Sequence, residues 1–80
     1  MTLLDLRERA GKSREDVARE LHTHAWILAQ CESGARSLSI MQALTLARLY
    51  CCTAETILEA QQNSIRTARS VARIQRRAEL

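Results

Sequence analysis

The side chains with the most chemical capacity in this 80-residue sequence are Cys31, Cys51, Cys52, His22 and His24. Thiolates and imidazoles hold zinc when they recur as C-x2-C or H-x3-H pairs that converge on one point. None of the five stands at such a spacing, so no metal site is expected. The cysteines are odd in number and two are adjacent, which points to reduced thiols in a cytoplasmic protein. Cys31 and Cys52 read as small core hydrophobes, Cys51 as an exposed thiol, and Tyr50 as a core aromatic. No Ser–His–Asp set or nucleophilic Cys–His pair emerges, and Glu32 stands alone in its segment. We therefore expect neither enzyme nor cofactor.

The cations are distributed more tellingly. The chain carries a net charge of +3, yet residues 1–60 hold seven basic and eight acidic side chains, and residues 61–80 hold five Arg and one Glu. At about 100° per residue, Arg66, Arg69, Arg73, Arg76 and Arg77 fall within a sector of about 100° on one helix. Ile65, Ala68, Val71, Ala72 and Ile74 share the remainder, giving a weakly apolar face. Such a helix can pair with a second copy, dock on a protein partner, or lay its basic side on DNA. The first two roles are preferred here. Membrane contact would need bulkier apolar residues.

The elements that position these groups are helices throughout. The sequence has no Pro, no Phe and only two Gly, and 46% of it is hydrophobic, with Ala and Leu dominant. That composition favours helix and argues against strands. No apolar run reaches the roughly 18 residues of a membrane span, and the N-terminal residues lack a signal-peptide pattern. Thr2 caps a first helix whose Leu3, Leu6 and Ala10 share a face, and Gly11 ends it. Ser13 with Asp16 makes a capping box for a second helix buried through Val17, Ala18 and Leu21. After the break His22-Thr23-His24, a third helix runs from about Ala25 to Ser33 and stops at Gly34. Ser39 with Gln42 opens a fourth, whose apolar positions are Ile40, Ala43, Leu44, Ala47 and Tyr50. Thr53 caps a fifth that nothing halts before Ala78.

The tight turn between the second and third helices makes them cross steeply and projects the third outward. That geometry suits a DNA major groove, which is about 12 Å wide. Here the sequence resembles the Cro and phage-repressor-like helix-turn-helix family, also called the XRE family. Leu6-Arg7-Glu8-Arg9-Ala10-Gly11 fits the end of its first helix, and Ser13-Arg14-Glu15-Asp16-Val17-Ala18-Arg19-Glu20-Leu21 through Glu32-Ser33-Gly34 fits its helix-turn-helix. Ser39-Ile40 through Tyr50 and Thr53-Ala54-Glu55-Thr56-Ile57-Leu58 fit its last two helices. Departures are Arg14 where the family favours Gln, His22 for a small residue, Cys51 for Gly, and Cys52 for an apolar core residue.

The resemblance implies an all-α, five-helix, lambda-repressor-like bundle with a long C-terminal helix. Residues 1–60 would form the DNA-binding domain and residues 61–80 a basic amphipathic extension. It implies a repressor binding double-stranded DNA as a homodimer on two half-sites and blocking polymerase. Leu28 and Cys31 would face the core, and Glu32 would be structural. Arg14, Thr23, His24, Ala25, Trp26 and Gln30 would meet bases or the nearby backbone, while Lys12, Arg36 and Ser37 would hold phosphates. The alternative is an interaction module or antitoxin on the same scaffold, using Trp26 and Ile27 or the C-terminal helix to bind a protein.

Overall fold

The computed structural model describes the backbone of residues 1–78 and the side chains of residues 1–70. It contains five helices: α1 Leu3–Arg9, α2 Arg14–Glu20, α3 Ala25–Glu32, α4 Ile40–Leu49 and α5 Ala54–Ala78. Hydroxyl side chains start four of them. Thr2 with Asp5, and Ser39 with Gln42, form reciprocal capping boxes. Thr53 Oγ1 accepts the Thr56 N–H at 3.1 Å. Ser13 accepts the Asp16 N–H, but only this half of the expected box forms, because Asp16 turns to Arg19 at 3.6 Å. His24 caps α3 without a side-chain bond.

Left-handed residues at Gly11, His22, Gly34 and Cys51 end the first four helices. After each, the next amide reaches back five residues: Lys12 to Arg7, Thr23 to Ala18, Ala35 to Gln30 and Cys52 to Ala47. This closure satisfies carbonyls that a helix end would otherwise leave unpaired. At His22 (φ 55°) and Cys51 (φ 54°) a Cβ is carried in that conformation, at a cost of roughly 1 kcal/mol each.

All five helices feed one core: Leu3 and Leu6, Val17 and Ala18, Leu28 and Cys31, Ala43, Leu46 and Ala47, and Ile57 and Ala60. Each fully buried Leu, Ile or Val contributes about 1.5–3 kcal/mol. The expected inner face of α4 needs correction, since Ile40 is 80% and Leu44 49% exposed. Ala43, Leu46 and Ala47 set the buried stripe. Leu44 lies about 100° around from Ala43, and Ile40 sits in the first turn, at the helix's free end.

Residues beyond 60 join the same body. Ser64 is buried, its Oγ accepting the Leu3 N–H at 3.2 Å and donating to the Ala60 carbonyl at 3.0 Å. Gln61 Oε1 accepts the Leu38 N–H at 2.6 Å. At Gly34 a Cβ would stand 2.5 Å from the Ser64 carbonyl oxygen, so only glycine lets this turn lie against α5. No break in α5 marks the sequence boundary at residues 60 and 61.

Among the described residues, one charged group is buried. The Glu32 side chain is 4% exposed and accepts from Arg7 Nε at 2.6 Å and Arg14 Nε at 3.2 Å. Arg7 Nη2 reaches the same carboxylate at 3.4 Å, and Nη1 donates to the Lys12 carbonyl at 3.0 Å. Removing one partner of a buried pair leaves a charge uncompensated. Arg7→Met should therefore lower unfolding free energy by about 3 kcal/mol in urea titrations followed by helical circular dichroism. Glu20→Ala, at an exposed position, should change it by less than about 0.5 kcal/mol; equal effects would show that the carboxylate does not depend on Arg7.

Candidate nucleic-acid interface

Helix α3 divides cleanly between an inner and an outer side. Leu28 and Cys31 are buried in the core, as their register implies, and Glu32 is anchored by the two guanidinium groups. Trp26 is 57% exposed, and His24 is exposed at the helix start. Their rings stack with centroids 6.3 Å apart and planes 7° from parallel. The Arg36 guanidinium lies 5.9 Å from the Trp26 ring centroid, and its Nε donates to Gln30 Oε1 at 2.9 Å. Arginine over an exposed indole contributes about 0.5–1 kcal/mol. His24, Trp26, Arg36 and Gln30 thus form one connected strip in which each side chain limits its neighbour's freedom.

The remaining expected contacts are placed less uniformly. Ser37 is exposed beside Arg36, while Lys12 and Thr23 are half-buried. Arg14 keeps 42% of its side chain exposed while its Nε holds Glu32. Ala25 packs against the core cluster, so its methyl belongs largely to the bundle. Gln30 Oε1 is engaged by Arg36, but an amide oxygen has a second lone pair and the amide nitrogen two donors, so a base edge can still be read. Ile65 and Ala68, expected at a dimer or partner contact, are half-buried and line a groove of about 390 Å³ against Gly34, Arg36 and Ser37. The side chains of Val71, Ala72 and Ile74 lie outside the described residues.

Three features escaped the sequence reading: Arg7 as the closest partner of Glu32, the stacked strip, and Arg69 in the groove wall. Only the first left a trace, because a lone Glu closing the apolar run Ala25-Trp26-Ile27-Leu28 demands a cation nearby. The hydrogen bond to Glu32 holds the Arg7 guanidinium above its ordinary pKa. Burial pushes the Cys31 and Cys52 thiols and the Tyr50 phenol upward, which disfavours thiolate at those two cysteines. Among the described residues, no helix is long and apolar enough to cross a membrane.

A family model described as a helix-turn-helix domain matches residues 1–60. No curated protein and no solved structure matches the chain.

Exposure and protonation together order the thiols. In folded protein at mildly alkaline pH, a thiol reagent should modify exposed Cys51 first, Cys52 more slowly, and Cys31 only on unfolding. Peptide mapping by mass spectrometry reads that order directly. Labelling of Cys31 as fast as Cys51 would mean that the contact between α3 and the core opens readily.

Proposed function

The chain belongs to the helix-turn-helix domain family, and on that footing we propose that it is a sequence-specific DNA-binding transcriptional regulator of the Cro and phage-repressor-like kind. The observation that carries this reading is the connected strip on the outer side of α3, backed by a face locked into the core. A helix about 10–12 Å across fits the major groove. In this reading Gln30 and His24 face base edges, Trp26 meets a thymine methyl or a sugar, and Arg14, Lys12, Arg36 and Ser37 hold the backbone.

The regulator acts as a homodimer on two half-sites and represses by blocking polymerase. Support for self-association comes from α4, where Ile40 (80%), Met41 (72%) and Leu44 (49%) are exposed, with Leu58 (50%) on neighbouring α5. Large apolar side chains left this exposed favour a partner surface. Exposed Arg48 on α4 and exposed Glu55 and Glu59 on α5 give this face both charge signs, so a two-fold axis can set cation against carboxylate. A second reading, a protein-docking module or antitoxin, draws on the exposure of Trp26 and on half-buried Ile27 beside it.

Selection from a randomised duplex library tests both. A palindromic motif with half-sites about one helical turn apart is expected. Gln30→Ala should then cost about 1–3 kcal/mol at one base position, whereas Arg36→Ala should weaken all sequences alike. Equal losses on selected and random DNA from both variants would refute the residue roles. Failure to enrich any motif, with Trp26 fluorescence unmoved by DNA, would favour the protein-docking reading. Ile40→Lys should shift the chain toward monomer in sedimentation and weaken binding to paired half-sites more than to one half-site; an unchanged oligomeric state would exclude α4 as the dimer face.

A further inference from the structure

The groove between α3's exit and α5 shares Arg36 and Ser37 with the backbone contacts above, but its α5 wall has no role in them. Its walls are the turn from Gly34 to Ser37 on one side and Ile65, Ala68 and Arg69 on the other. Among the described residues, two guanidinium groups, Arg36 and Arg69, line it, and no carboxylate does. We propose that this groove binds the DNA sugar–phosphate backbone, with Arg36 and Arg69 as its cations, so that α5 serves as a second DNA-contacting arm. The inference rests on the DNA-binding reading and assigns a use to the extension that the sequence left open among three.

Three observations converge on it. First, position: Arg36 lies over Trp26 and bonds Gln30, so the groove opens directly beside the strip that would face the bases. A strand whose bases meet Gln30 passes close to Arg36. Second, rigidity: Gly34 packs so near the Ser64 carbonyl that the turn and α5 cannot separate without breaking the bundle. The two arginines are therefore carried on elements with a fixed mutual position. Third, charge: residues 1–60 carry one more acidic than basic side chain, while residues 61–80 hold five Arg and one Glu. Affinity for duplex DNA grows with the number of phosphates neutralised. Lys12, Arg14 and Arg36 of the body neutralise few phosphates against its acidic balance, and α5 adds cations to them. Arg66 and Arg69 are both exposed, and the sequence repeats Arg along the same stripe at Arg73, Arg76 and Arg77. Half-buried Ile65 and Ala68 give the α5 wall an apolar surface against which deoxyribose can rest.

The test uses the full chain, a fluorescent duplex carrying the selected motif, and a random-sequence duplex, titrated by anisotropy at several salt concentrations. Arg69→Gln should weaken both duplexes about fivefold and make the salt slope shallower by about 0.9. Arg69→Lys should retain most affinity, and Arg9→Gln on α1 should bind as the parent does. Circular dichroism should be unchanged, because Arg69 is exposed. If the parent binds the selected motif and Arg69→Gln matches its affinity and slope, this inference fails while the regulator reading stands. If the parent binds neither duplex, both fall. A loss on the selected duplex alone would show a base contact and overturn the backbone assignment.

Discussion

A carboxylate buried in a bundle this small is costly unless several donors reach it, and Glu32 is reached from two directions. Arg7 supplies Nε and Nη2 from α1, and Arg14 supplies Nε from the first residue of α2. Arg7 also ties down the Lys12 carbonyl in the turn between them. Apolar burial is non-directional and would accept a range of angles between α2 and α3. Charge-assisted hydrogen bonds are directional, so the ends of three elements meet at one carboxylate in one arrangement. The net stability gained is small, because desolvation offsets much of the attraction. What the cluster contributes is orientation.

That orientation decides which side chains the third helix offers to solvent. With Leu28, Cys31 and Glu32 held inward, Trp26 and His24 are left outside, and Arg36 folds back across them from beyond Gly34. The strip is largely ordered before any ligand arrives, because stacking and the Gln30–Arg36 bond restrict four side chains. Preorganisation of this kind reduces the entropy lost on binding. The strip is aromatic at its centre and cationic only at its margin.

Much of this was legible in the residues. The caps at Thr2, Ser39 and Thr53, the stops at Gly11 and Gly34, and the inward register of Leu28 and Cys31 all follow from local spacing. These are short-range effects, decided within a turn of helix. The misreadings are long-range. Ile40 and Leu44 fit a helical period, yet whether a stripe is covered depends on where the neighbouring helix ends. Arg7 and Glu32 are separated by 25 residues, and the groove pairs Arg36 with Arg69 across the whole of α4. Periodicity carries no information on such pairings, because they are set by how helices cross. Ala25 shows the same limit on a smaller scale, since its place in the first turn leaves its exposure to the angle of entry.

Ser64 has a consequence for how the chain is made. Its hydroxyl receives the first helical amide, Leu3, and its backbone carbonyl lies under Gly34. Asn63 meanwhile donates to the Met1 carbonyl at 2.8 Å. The beginning of the fold is thus closed by residues that leave the ribosome late, after every residue of the family-matched segment 1–60 has been synthesised. A nascent chain halted at that boundary would hold the whole helix-turn-helix sequence with its first helix unlatched. Ser64 stands in about the third turn of α5, so the latch on the first helix forms just as the arginine-rich segment that begins at Arg66 follows it in synthesis.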